Sequence, residues 1–287
     1  MYFYTNCANK HSSLCVTLPI RILYAFTVQS MNFKAKQLWS SSLPILVTFF
    51  LLSVFVNRAS TNLWTRAKLS QPRYLLATAT VGTKAIFAGG DAGRNGGTTT
   101  VDIYDGFTNS WTTANLSMAR NSLAGAAAGD KALFGGGFTS GIGTDKNRVD
   151  IYDSANDRWT TANLSHARWA LAAASSGQKA VFGGGTGQWS NVVDIYDSAS
   201  NSWSTAQLSR GRSNLAATTS SDGSLIFFAG GLENGKFSDA VDIYSVADNS
   251  WSTAKLSQKR TDVAAAAAGT KVIFAGFILS EFMLART

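Results

Sequence analysis

The stretch VDIYDGFTNSWTTANLSMAR, Val101 to Arg120, returns three more times in near-identical form, and that recurrence restricts the chain to a stack of like units. The later copies start at Val149, Val193 and Val241, and an earlier one begins part-way in as LWTRAKLSQPR from Leu63. In every copy an arginine lies nine residues after the tryptophan: Arg73, Arg120, Arg168, Arg212 and Arg260. In each complete copy a tyrosine lies seven before it: Tyr104, Tyr152, Tyr196 and Tyr244. The tryptophans at 64, 111, 159, 203 and 251 set a period of 44 to 48 residues. A unit of that size cannot bury its apolar face alone and has to stack on its neighbours.

Within a unit, Val149 and Ile151 alternate with Asp150 and Tyr152, the period of a strand with one buried face. A polar run, Asp153 to Arg158, links it to the Trp159 strand as a hairpin connection. KALF, from Lys131, is a short apolar strand stopped by glycines. The alanine-rich segments, such as Leu171 to Ala174 and Val263 to Ala268, favour helix by propensity alone. Each has only about eight residues before a tight turn, too few for a stable helix. Other copies place Thr78, Thr80, Thr218 and Thr219 there. These segments are therefore expected to be innermost strands with small side chains, giving four antiparallel strands per unit.

Glycine pairs follow the second strand at Gly89-Gly90, Gly135-Gly136, Gly184-Gly185 and Gly230-Gly231. Together with Tyr104, Tyr152, Tyr196 and Tyr244, and with Trp111, Trp159, Trp203 and Trp251, they resemble the kelch repeat of β-propellers over Leu63 to Gly276. WD40 is excluded, because no Gly-His pair opens the units and no Trp-Asp closes them. The resemblance implies an all-β, kelch-type β-propeller over 61–276, with four complete four-stranded blades and an incomplete fifth. After Val272 the pattern fails, and residues 277–287 form a divergent tail. Either the Trp64 strand closes the fifth blade, or the chain is a truncated form of a larger propeller.

The first sixty residues stand outside the repeats. Lys34 and Lys36 precede an apolar run from Leu43 to Val56, followed by Ala59 and Ser60, so 31–60 reads as a signal peptide. An uncleaved signal anchor is the alternative, although 43–56 is short for a span of about 20 residues. Residues 1–30 are expected to be an upstream extension without persistent structure. From Ser60 onward the chain carries 20 Lys and Arg against 17 Asp and Glu, so the excess charge sits mainly in the leader and argues against nucleic-acid binding. Cys7 and Cys15 also precede Met31, which leaves the repeats without a disulfide. Two sequons, at Asn115 and Asn163, occupy equivalent places and are expected glycosylation sites on an exported chain.

Some kelch-like propellers are copper oxidases, whose sites need several His, Tyr and Cys ligands. Here His11 lies in the leader, and His166 stands where other units carry Gln71, Met118, Arg210 and Gln258. No catalytic, metal or cofactor motif is present, and neither a metal nor a cofactor is expected. The repeated arginines could ring an anionic ligand, but their presence in every unit fits pairing with Asp102, Asp150, Asp194 and Asp242. The tyrosines and tryptophans read as packing residues. Recognition is expected in the loops that vary between units, 91–100, 138–148, 186–191 and 232–239. Their candidates are Arg94, Phe138, Lys146, Arg148, Gln188, Trp189, Lys236 and Phe237. The expected protein is secreted, monomeric and non-catalytic, and binds a protein or glycan. The alternatives are a carbohydrate-active or other enzyme working at the central channel, and a purely structural fragment.

Overall fold

The computed structural model describes residues 65–93, 96–139, 146–186 and 190–278. The expectations for 1–30, 31–60, the Trp64 strand and the tail from 279 lie outside the described residues. Contacts divide the chain between Arg66 and Ala67, and the repeats occupy the second part. Its described regular structure is entirely β.

The first sheet comprises β1 (Ala77–Val81), β2 (Lys84–Ala88), β3 (Thr98–Asp105) and β4 (Ser110–Arg120). The second comprises β5 (Ala124–Ala128), β6 (Lys131–Gly135), β7 (Arg148–Asp153) and β8 (Arg158–Asn163). The third comprises β9 (Ala172–Ser176), β10 (Lys179–Gly183), β11 (Val192–Asp197) and β12 (Ser202–Gln207). In each, every strand is antiparallel to the next in sequence. The fourth repeats the pattern with β13 (Ala216–Thr219), β14 (Leu225–Ala229), β16 (Lys236–Ser245) and β17 (Ser250–Ala268), and β15 (Leu232–Glu233) pairs with β16. β17 is a single strand of 19 residues that leaves the fourth sheet and pairs again with β18 (Lys271–Phe277), the two strands of a fifth unit.

The alanine-rich segments are strands, as length and turn chemistry required, and β5 and β9 each pair with the following strand along their whole length. β1 lies against β5, β5 against β9, β9 against β13 and β13 against β17. Such close approach explains the small residues. A Cβ added at Gly125 would collide with the Thr78 carbonyl of the neighbouring inner strand. Residues of all five inner strands, among them Thr78, Ala126, Ala173, Thr218 and Ala267, line one cavity of about 510 Å³.

Sheets pack by one repeated rule. Ile86, Val101 and Ile103 of the first sheet meet Ala132, Phe134, Tyr152 and Trp159 of the second. Leu133, Val149 and Ile151 meet Ala180, Phe182, Tyr196 and Trp203 of the third. Val181, Val193 and Ile195 meet Ile226, Phe228, Tyr244 and Trp251 of the fourth. Burying each such Phe or Ile contributes about 1.5–3 kcal/mol. The Tyr and Trp of one unit stand opposite each other across strands three and four, with ring centroids 5.0 to 5.2 Å apart. These indoles are only partly covered, and Trp111 is 39% exposed.

The second of the two glycines that follow strand two turns the chain out of it, and in the second unit this pair is Gly136-Gly137 rather than the expected Gly135-Gly136, since Gly135 is the last residue of β6. Gly185 has φ +115°, and a Cβ there would sit 2.9 Å from the Trp169 carbonyl. Phe277 stands in that place in the fifth unit. A phenylalanine does not take this conformation readily, so β18 runs on through Phe277, one residue past the boundary expected at Gly276.

Candidate functional site

The repeated arginines are internal ties. Arg120, Arg168 and Arg212 are fully buried, as are their partners Asp150, Asp194 and Asp242 to within 2% exposure. Arg120 pairs with Asp150 and Arg212 with Asp242, and Arg168 Nη2 lies 2.7 Å from Asp194 Oδ2. Arg73 Nη1 lies 2.6 Å from Asp102 Oδ2, close in distance but off the hydrogen-bonding direction. Each guanidinium also donates to a carbonyl of strand two, as Arg168 Nη2 does to Phe182 O at 3.2 Å. The second oxygen of each carboxylate accepts a backbone N–H from the preceding unit: Ser70, Ser117, Ser165 and Ser209, at 2.7 to 3.0 Å. Burial pushes the Arg120 guanidinium down to about 10, against the pull of Asp150. Arg260 has no carboxylate partner among the described residues and is only partly buried. The four paired arginines are engaged within the fold and cannot form an open basic ring.

Two residues past each arginine the backbone is left-handed. Leu75, Ser122, Ala170, Asn214 and Asp262 have φ between 48° and 54°. Non-glycine residues rarely adopt this geometry, and it persists only where the surroundings enforce it. Here a relay of backbone hydrogen bonds does so: Ser122 N–H donates to Leu75 O at 2.9 Å, Ala170 to Ser122 O at 3.1 Å, and Asn214 to Ala170 O at 3.0 Å. All five residues border a second cavity of about 400 Å³, whose other walls include Leu123, Leu171, Leu215 and Val263.

The variable loops reach the same end. Tyr74 bridges to Asp91, Asn121 to Phe138 and Ser213 to Leu232, while Thr186 N–H donates to Trp169 O at 2.8 Å. At this end the chain thus gathers an apolar cup with a polar rim of Ser122, Asn214 and Asp262, beside the half-exposed Tyr74 and Leu75. Such a cup suits contact with a surface or ligand.

Neither a protein-family model nor a curated protein matches this chain.

The candidates from the loops separate into groups. Arg94, Gln188 and Trp189 lie outside the described residues. Phe138 packs on Trp169 with ring centroids 5.5 Å apart, and Phe237 packs edge-on against Phe277 at 5.7 Å. Arg148 offers its carbonyl to Arg120 at 2.5 Å, and its side chain reaches Thr161 at 3.4 Å. The Lys146 N–H donates to Gly137 O at 3.0 Å, and its carbonyl accepts from Arg168 N–H at 3.2 Å. Lys236 is exposed beside the Asn234-Gly235 turn, where both residues have positive φ. Asn115, Asn163 and His166 are exposed. Trp169 and the left-handed residues lie outside the stretch between strands two and three, where sequence variation pointed to recognition. The position after each arginine varies just as much, and that signal could have found them: Tyr74, Asn121, Trp169, Ser213 and Thr261.

At the turns joining strands one to two and three to four, Lys131 Nζ lies 2.8 Å from Asp153 and Lys179 Nζ 3.0 Å from Asp197. The hydrogen bond from Lys131, then one from Asn156, holds Asp153 down to about 2. The groove of about 370 Å³ there is bordered by the paired Lys131 and Asp153 and by Arg158. Among the described residues, no three His, Cys, Asp or Glu side chains are placed to hold a metal ion.

Proposed function

We propose that this chain is a non-catalytic binding protein, built as a kelch-type β-propeller of four complete blades and an incomplete fifth, that recognises a protein or glycan through its variable-loop end. One observation carries the reading: the variable loops, the left-handed residues and the apolar cup of about 400 Å³ meet at one end. Stacked antiparallel sheets whose inner strands share a cavity support the propeller. A channel wall of Ala, Gly, Thr and Ser supports a structural rather than a catalytic centre. Exposed sequon residues Asn115 and Asn163 accord with export and glycosylation. Arg94, Trp189 and Lys236, on three different loops, are the contacts assigned to the partner.

The test is binding of the secreted chain to a glycan array and to a panel of extracellular proteins. A variant carrying Arg94→Glu, Trp189→Ala and Lys236→Glu should lose the partner that the parent captures while keeping the parent's melting temperature. Capture at parental strength by that variant would refute the reading.

A further inference from the structure

We propose that the groove between the second and third sheets, at the end of the strands opposite the variable loops, binds a sugar acid of the hexuronate class, whose carboxylate sits on Arg158. Its walls come from two complete four-stranded units: Lys131, Asp153 and Arg158 of the second, Tyr196 and Asn201 of the third. At about 370 Å³ it has the size of a small-ligand site.

The repeat itself has no use for Arg158. Ser110, Ser202 and Ser250 stand at its place in the other units. Its register partner on β7 is Asp153, yet that carboxylate is already filled. Asp153 Oδ1 accepts the N–H groups of Ala155 and Asn156 at 3.1 and 3.2 Å, and Oδ2 accepts Lys131 Nζ at 2.8 Å and Asn156 Nδ2 at 3.1 Å. An ionised carboxylate offers about four such places. The exposed Arg158 side chain therefore makes neither an ion pair nor a hydrogen bond among the described residues. The place of Asn201 is held in the second unit by Asp157, which accepts from Tyr152 Oη at 2.6 Å and lies 3.8 Å from Lys84 Nζ. Asn201 accepts from Tyr196 Oη at 2.8 Å in the same way but brings no negative charge. Of the three equivalent grooves, the first has Ser110 with Asp157 and the third Ser202 with Asn249, so only the middle one joins an arginine to an uncharged neighbour.

A guanidinium grips a carboxylate through two parallel hydrogen bonds. Around it the groove adds groups that suit ring hydroxyls. The Thr160 hydroxyl and the Asn201 amide N–H groups have no acceptor among the described residues, and the Tyr196 oxygen, which donates to Asn201, can still accept. Asp130 lies near Lys131 but does not line the groove. A protein segment would instead need an apolar anchor. Ile151, the one aliphatic residue among the described lining residues, is only 7% exposed. The groove shares no residue with the variable loops, so its loss leaves capture through those loops untouched.

Titration of the full chain with sodium glucuronate, followed by NMR, tests the proposal. Saturable binding is expected. Glucose should bind about tenfold more weakly or worse, since it lacks the charge-assisted bonds. Arg158→Ser, which installs the residue of the other units, should cause a similar loss with an unchanged melting temperature. Asn201→Asp should do the same by setting a carboxylate beside that of the ligand, while keeping the bond from Tyr196 as Asp157 keeps that from Tyr152. Should either variant fold poorly, the comparison with glucose makes the same distinction without any change to the protein. No saturable binding of glucuronate, or equal binding of glucose, would overturn the proposal. So would unchanged binding by Arg158→Ser in a folded protein. Inorganic phosphate or the tripeptide Gly-Glu-Gly binding as tightly as glucuronate would show a site for any anion, and that too would overturn it.

Discussion

Arg168 Nη2 lies 2.7 Å from Asp194 Oδ2, with the two side chains 0% and 3% exposed. The same Nη2 donates to Phe182 O at 3.2 Å, and Ser165 N–H donates to the other oxygen of Asp194 at 2.9 Å. One ion pair therefore ties the entry of a sheet, its second and third strands, and the end of the preceding sheet. Ties between Arg73, Arg120 and Arg212 and their aspartates repeat it, whereas Arg260 has no such partner among the described residues.

This repetition contains its own control. Removing one partner of a buried pair leaves an uncompensated charge and costs about 3–5 kcal/mol. Arg168→Met should therefore lower stability by that amount in urea unfolding. Arg260→Met leaves no stranded carboxylate and should cost less than about 1 kcal/mol. Equal losses at the two positions would contradict the tie.

Gly184 and Gly82 make a second contrast. Both have positive φ, +72° and +55°, but a Cβ at Gly184 would lie 2.5 Å from the Arg212 carbonyl, while nothing lies within 4 Å of one at Gly82. Left-handed backbone alone costs alanine about 1–2 kcal/mol. Gly82→Ala should cost about that much, and Gly184→Ala clearly more, because the atom in its way is backbone. Thermal denaturation of the two variants decides, and a smaller loss at 184 would count against the packing described.

Acid should weaken the fold in a defined window. Hydrogen bonds from Lys131 and then Asn156 hold Asp153 down to about 2, and those from Ser220 and Ser224 do the same for Asp222. The pull of Ser70 and Arg73 on Asp102 outweighs its burial, so its value is lowered too. A carboxylate depressed in the folded state contributes stability that is complete above its unfolded value, about 3.9, and is lost as pH falls through the folded one. The melting temperature should hold near pH 5 and drop between about pH 4 and pH 2. A flat profile across that interval would contradict these hydrogen bonds.

Phe138 and Trp169 should behave as a packing pair. Their rings, with centroids 5.5 Å apart, join one unit's variable loop to the next unit's entry. A double-mutant cycle with Phe138→Ala and Trp169→Ala should give a coupling of about 0.5–1.5 kcal/mol. Zero coupling would leave Phe138 free to serve a partner instead.

The strands were legible because β-type alternation, as in Val149 to Tyr152, recurs at fixed spacing from the tryptophan. The alanine runs were legible only through length and turn context, since their propensity points to helix. The aspartate partners of the arginines could be named from recurrence. The serine N–H on each carboxylate could not, because a backbone donor leaves no mark on residue type. The left-handed ring was hidden for a similar reason. Asn214 and Asp262 suit that geometry, but Leu75 and Ala170 do not, and tertiary hydrogen bonds hold them there. The roles of Phe138 and Phe237 were obscured because their partners, Trp169 and Phe277, sit in another unit or at a position where the repeat breaks.

Hydrogen exchange followed by mass spectrometry tests most directly whether four closed units lead into one open one. Residues 131–135, 179–183 and 225–229 should be strongly protected, each lying between two paired strands, while 271–277 should exchange far faster along the edge that pairs with no strand among the described residues. Protection of 271–277 equal to that of the other three segments would contradict the arrangement.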